Sequence, residues 1–193
     1  RELISLPPWS IFKLGITRTF QNIRLSLGLS VLENVMVGLY LDERTSWLDV
    51  ALGRKSVVVK QNDARERSAE ALRVVNPALV RSVNRLVAEL SYADRRRVEI
   101  ARAIVSHPKL LLLDEPTAGM NASESEELAL DIHKINQSGV TIIVVEHKMK
   151  FISDLASRVV VLNFGQKIAE GSYDEIRLNS AVIEAYLGRR RIA

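Results

Sequence analysis

The 193-residue chain contains no cysteine. This excludes disulfide cross-links and thiolate metal sites, and it fits a reducing compartment. Aromatic residues are scarce at 5%, which argues against a nucleic-acid reader built around the basic clusters Arg95–Arg97 and Arg189–Arg191. No apolar run approaches the ~20 residues needed to cross a bilayer. The first residues also lack the basic-then-apolar pattern of a secretory leader. None of the nine glycines begins the phosphate-cradling pattern G-x-x-x-x-G-K-[ST]. Gly53-Arg54-Lys55-Ser56 has the wrong spacing and no strand before it. Helix-start N–H groups do most of the phosphate holding in such loops, so weak nucleotide binding is expected.

What is present is an ordinary globular composition: 47% hydrophobic, 26% charged and a net charge of +4. The length fits one domain with a real core. There are no internal repeats and no sustained heptads. Arg95 is expected to pair with Glu99 along a helix, leaving Arg95–Arg97 as a solvated face.

The most informative stretch is Leu110-Leu111-Leu112-Leu113-Asp114-Glu115-Pro116. Four apolar residues in a row suit a strand buried on both faces of a parallel sheet, and Pro116 stops the ladder. Ligands of open α/β sheets bind beyond the carboxyl ends of the strands. Two acids at that place can divide the labour of phosphoryl transfer, Asp114 toward a magnesium ion and Glu115 toward an attacking water. The plainer alternative is a strand followed by an acidic turn. A second apolar run, Thr141–Val145, ends in Glu146-His147. Parallel neighbours would bring Asp114, Glu115 and His147 to one rim, where an imidazole can hydrogen-bond a terminal phosphate.

Between these features, Leu90-Ser91-Tyr92-Ala93-Asp94 opens a helix that runs through Val105 and ends before Pro108. Ser91 and Asp94 read as the N-cap and N3 of a capping box. Further helices are expected over Ala64–Val75, broken by Pro77, and over Ala122–Gln137, stopped at Gly139. Asp42–Asp63 reads as a long loop with a partial helix. After His147 come a short helix, strands Arg158–Leu162 and Gln166–Ala169 joined at Asn163-Phe164-Gly165 as a hairpin, and a tail, Tyr173–Leu187, helical in two pieces.

The ordered set Arg18-Thr19-Phe20-Gln21, Leu90–Asp94, Leu110–Pro116, Ala118-Gly119-Met120-Asn121 and Glu146-His147 resembles the ATP-binding subunit of an ABC transporter. The likeness is to the branched-chain amino-acid uptake type. Gly15–Leu25 is similar to that type's Q-loop region, Leu32-Glu33-Asn34-Val35 to the start of its helical subdomain, and Ile183–Gly188 to its C-terminal ending. The resemblance runs from Arg1 to Gly188 and implies an α/β fold. This would be an incomplete ABC-type nucleotide-binding domain, with a partial parallel sheet, a helical subdomain, and a C-terminal β-hairpin with helices. It divides the chain into residues 1–24 (remnant core and Q-loop), 25–107 (helical subdomain) and 108–193 (α/β core and C-terminal helices).

The resemblance also implies roles. Gln21 would contact Mg²⁺ or water, and Asp114 would coordinate Mg²⁺. Glu115 would be the general base, and His147 would contact the γ-phosphate. Ser91, Tyr92, Ala93 and Asp94 would serve ATP held by an opposite subunit, with Asn121 in the loop at the dimer seam. The partners implied are a second ATP-binding subunit and transmembrane permease subunits, with no nucleic acid. The location implied is the cytoplasmic face of the membrane.

The chain departs from the pattern in places. The family's first strands, nucleotide-stacking aromatic and phosphate loop have no counterpart, which predicts an unpaired sheet edge and inactivity of the chain alone. Ala93 and Asp94 stand where the family has Gly and Gln. A Cβ at residue 93 would hinder close approach of phosphate, and a carboxylate at 94 would repel it by ~1–4 kcal/mol at ~4 Å. Ser157 replaces a usual Asp. A non-catalytic partner subunit is therefore the rival reading. A DNA-associated ATPase of the same family is a third, set aside because its long coiled coils are absent.

Overall fold

A computed structural model describes residues 3–40 and 55–187. Most of the loop expected at 42–63, the Arg189–Arg191 cluster and Gly188 lie outside the described residues. The chain forms two compact units, residues 1–146 and 147–193.

The first unit opens with Pro7 in an extended conformation. It presets helix α1 (Pro8–Lys13), whose first position is a proline. Strand β1 (Ile16–Arg18) follows. Helix α2 (Val31–Met36) starts at a full capping box, in which Glu33 N–H donates to Ser30 and Ser30 N–H donates to Glu33. Helix α3 (Lys55–Val75) buries Ala64, Ser68, Ala71, Leu72 and Val75, a single stripe at helical spacing. It begins nine residues before the expected Ala64. Lys55–Asp63, within the stretch expected to hold a partial helix, is helical with no buried residue of its own and continues directly into the Ala64–Val75 stripe.

Helix α4 (Tyr92–Ile104) packs against α2 and α3. Gly38, in the turn after α2, lies so close to α4 that a Cβ there would stand 2.3 Å from the Arg102 carbonyl oxygen and 2.7 Å from Val105 Cγ1. Because one of those atoms is backbone, Gly38→Ala is expected to lower stability by ~1–3 kcal/mol, read as a lower urea midpoint with an unchanged slope.

Strand β2 (Leu110–Asp114) is the middle of a parallel three-stranded sheet, β1-β2-β3, with β3 at Thr141–Val145. Leu111 and Leu113 are fully buried, whereas Leu110 and Leu112 are half-buried. The expected burial on both faces is thus corrected: the Leu111 and Leu113 face of β2 is fully buried and the Leu110 and Leu112 face only in part. Strand β3 pairs on one side only among the described residues, with Ile143 and Val145 51% and 61% exposed. Helix α5 (Ala122–Gln137) has the expected bounds and is followed by Gly139 at φ 97°.

The second unit holds helix α6 (Met149–Leu155) and the antiparallel hairpin β4 (Val159–Asn163) and β5 (Gln166–Gly171), then α7 (Tyr173–Leu178) and α8 (Ser180–Leu187). The two-residue turn Phe164-Gly165 has both φ values positive, the conformation that matches strand twist in a tight hairpin. Among the described residues of this unit, the buried apolar side chains are Phe151, Ile176 and Val182.

Candidate functional site

The register of the sheet decides where the polar residues go. Leu112 pairs with Arg18 and Asp114 with Val145, so the carboxyl ends of β1, β2 and β3 share one rim. The chain leaving β1 stays bound there, since Thr19 N–H donates to the Leu112 carbonyl at 3.0 Å. Gln21 then reaches across, its Nε2 donating to Glu115 Oε2 at 2.7 Å. Arg18 Nη2 lies 2.7 Å from Asp114 Oδ2. Arg18 at the end of β1 and Gln21 in the loop after it thus meet Asp114 at the end of β2 and Glu115 directly beyond it.

The turn carrying Glu115 is held from three sides. Glu115 N–H donates to the Val145 carbonyl at 2.9 Å. Thr117, fully buried, donates its hydroxyl to Glu146 Oε2 at 2.8 Å. The Ala118 and Met120 amides donate back to Glu115 and Thr117. Glu115 itself has φ 43°, a left-handed conformation that costs a non-glycine residue ~1–3 kcal/mol. Such strain persists where surrounding bonds over-determine it, and it aims the carboxylate at the rim.

A divalent cation fits this rim in its donor chemistry. Among the described residues no group of three or more His, Cys, Asp or Glu is arranged around a metal. Magnesium usually takes only one or two protein oxygens and completes its octahedron with water and phosphate. Asp114, partly exposed at the strand end, and the Gln21 amide can supply those oxygens.

At the start of α4, Ser91 is the N-cap and accepts from Asp94 N–H at 3.1 Å. The reciprocal arm of the expected capping box does not form. The shorter Asp94 side chain accepts from the Ser91 hydroxyl at 2.9 Å instead of from its backbone N–H. Asp94 also accepts from Arg97, so its charge is partly countered. Tyr92 is 43% exposed, and a Cβ at Gly119 would stand 3.3 Å from its ring. Ala93 is buried. Asn121 is the N-cap of α5 in a full capping box with Glu124. His147 opens the second unit, and its backbone carbonyl accepts from the Tyr186 hydroxyl. The first unit therefore joins Gln21, Asp114 and Glu115 directly, while His147 belongs to the other.

The arginine triplet overturns the expected solvated face. Arg95 donates to the carbonyls of Val87, Ala88 and Leu90 rather than to Glu99. Arg96 and Arg97 are 0% and 5% exposed. Arg96 is the residue that pairs with Glu99, at 2.7 Å. Arg97 reaches Asp131 at 2.8 Å and Glu127 at 3.0 Å. Burial opposes the Arg97 charge, but the hydrogen bond and charge of Asp131, with Glu127 and Asp94, hold its pKa above the usual range. Burial pushes the Glu99 carboxyl up, against Arg96, the Arg24 amide and Arg102. A signal was available. Ala93, Arg96, Arg97, Ile100, Ala101 and Ile104 follow the i, i+3, i+4, i+7, i+8, i+11 stripe, and the rule that charges face water masked it. Sequence reasoning likewise passed over Arg18 and Thr117.

This rim, with its carboxylate pair and glutamine at the ends of parallel strands, defines a nucleotide-binding α/β domain, and the chain belongs to the ABC transporter family. The family profile described as ABC transporter matches residues 4–118. A second profile, described as branched-chain amino acid ATP-binding cassette transporter, matches residues 166–191. The chain is 38% identical over 189 residues to the high-affinity branched-chain amino acid transport ATP-binding protein LivG of Salmonella typhimurium, covering 97% of this chain and 73% of LivG. It is 36% identical over 188 residues to the corresponding protein BraF of Pseudomonas aeruginosa, with the same coverage of 97% and 73%. A solved nucleotide-free ATP-binding cassette from an ABC transporter superposes with a TM-score of 0.79 at 26% identity, over 97% of this chain and 74% of that one. The parallel sheet with its helices is thus the architecture of part of an ABC nucleotide-binding domain. No helix among the described residues is long and apolar enough to cross a membrane.

Proposed function

We propose that this chain is the ATP-binding subunit of an importer for branched-chain amino acids, coupling ATP binding and hydrolysis to transport. The observation that carries this reading is the 2.7 Å hydrogen bond between Gln21 and Glu115 beside Asp114, at the carboxyl rim of a parallel sheet. The substrate class rests on the branched-chain amino acid transport for which LivG and BraF are named and on the match over residues 166–191.

In this reading Glu115 is the general base toward an attacking water, and Gln21 orients it. Asp114 and Gln21 hold Mg²⁺, which when bound neutralises charge on the phosphates. His147 contacts the γ-phosphate. Ser91, Tyr92, Ala93, Asp94 and Asn121 face nucleotide held by a second ATP-binding subunit. The pair docks beneath transmembrane permease subunits on the cytoplasmic face of the membrane. Residues 1–24, 25–107 and 108–193 supply the Q-loop with adjoining core, the helical subdomain and the remaining α/β core.

The test is uptake by membrane vesicles carrying the assembled transporter, with leucine, isoleucine and valine set against a basic amino acid. ATP-dependent uptake restricted to the branched substrates supports the reading, and preference for the basic one refutes the substrate assignment. The 193 residues themselves carry no phosphate-loop pattern. Equilibrium dialysis of this chain with ATP is therefore expected to show binding weaker than micromolar. Micromolar affinity would mean that other backbone amides hold the phosphates. A non-catalytic partner subunit is the second reading, favoured by Asp94 at the start of α4. It would show as transport that survives loss of Glu115.

A further inference from the structure

The side chain of Arg96 is fully enclosed, an unusual place for a permanent charge. It uses its terminal nitrogens in a specific direction. Nη1 donates to the Phe20 carbonyl at 2.7 Å and to Glu99 Oε2 at 2.7 Å. Nη2 donates to the Gln21 carbonyl at 2.6 Å and to the Tyr92 hydroxyl at 3.3 Å. Nε finds no partner. A buried ion pair is weak support for stability in itself, and an unpaired buried donor detracts from it. This arginine is poorly explained as a fastener for α4.

Its two short carbonyl bonds fall on consecutive residues of the loop after β1, one of them Gln21. Both carbonyls are met by one planar guanidinium, whose geometry is rigid. Glu99 holds the same guanidinium from within α4, and its other oxygen accepts from the Arg24 amide at 3.3 Å. The backbone on either side of Gln21 is therefore pinned to α4 while the Gln21 side chain extends to Glu115. We propose that Arg96, held by Glu99, is a positioning residue that fixes the Phe20–Gln21 backbone so that the Gln21 amide meets Glu115. This rests on the catalytic reading given above for Gln21 and Glu115. Its structural half stands without that reading.

The experiment has two arms. In the first, the chain is labelled with ¹⁵N and the Gln21 side-chain amide is assigned by its disappearance in Gln21→Ala. In the unaltered protein the Gln21 amide should be displaced from the free-glutamine position. The Arg96 Nη protons should exchange at least tenfold more slowly than those of an exposed arginine. An Arg96 guanidinium in fast exchange overturns the proposal without any variant. Arg96→Lys keeps the charge but replaces the two forked nitrogens, each on its own carbonyl, with one shorter-reaching ammonium, and it should return the Gln21 amide to the free position with circular dichroism unchanged. If Arg96→Lys does not fold, Glu99→Gln decides, and a Gln21 signal unmoved in the folded variant refutes the positioning role.

In the second arm, the assembled transporter carrying Arg96→Lys should lose about tenfold in kcat with KM for ATP within twofold, the split expected for misplaced catalytic groups. A rise in KM with kcat unchanged refutes positioning. Hydrolysis that is insensitive to Glu115→Gln would instead sink the catalytic reading while leaving the resonance result intact.

Discussion

Glu115→Gln in the assembled transporter is expected to reduce ATP hydrolysis by about 10²–10⁴-fold, the range over which a positioned general base contributes. ATP affinity should change little. The substitution keeps an acceptor oxygen for the Gln21 amide, which now approaches Glu115 at 2.7 Å, and it leaves the turn intact. That turn is fixed by backbone bonds to Val145 and by Thr117 on Glu146, none of which uses the Glu115 carboxylate. The left-handed φ of residue 115 is a backbone property that glutamine inherits. What is lost is proton acceptance at the rim. Phosphate release at saturating ATP, with nucleotide binding measured separately, checks the result. A variant that retains a third of the rate shows that Glu115 is not the base.

The second large effect concerns the fold. Arg97→Met should cost ~3–5 kcal/mol, because it strands the Asp131 carboxylate, itself 6% exposed, without its main partner. Lys134, at 3.2 Å from the other Asp131 oxygen, is half exposed and compensates only in part. Arg97 also joins Glu127 on α5, so its loss breaks both of its links between the two helices, while its pair with Asp94 lies within α4. The double variant Arg97→Met with Asp131→Leu should recover most of the deficit, since a buried pair exchanged for apolar side chains is often neutral. Urea unfolding of all the variants reads both numbers. A single variant within 1 kcal/mol of the parent would show that the buried network carries little.

These two sites were legible to different degrees. Asp114-Glu115 stood out because a run of four leucines fixes a strand and the acids follow it directly, so local order alone places them at its end. Helix α5 was readable to its last residue, with Gly139 as its local stop signal; the Asn121–Glu124 capping box at its start was seen only in the structure. The hairpin was equally local, its Phe164-Gly165 turn lying between two short apolar runs. Arg96 and Arg97 were misread because charge was weighed above periodicity. Their partners Phe20, Gln21 and Asp131 lie 34 to 76 positions away, and no local pattern announces them.

The amino-acid order by itself determined strands β2 to β5, the bounds of α5, the acid pair and the family, because these depend on side-chain period, local stop signals and motif spacing. Only the tertiary structure decided that Gln21 touches Glu115, that Arg18 sits on Asp114, and that one fully buried arginine grips the loop between them. Those contacts arise where parallel strands set far-apart loops on one rim. Such pairings cost chain entropy that only the completed core offsets.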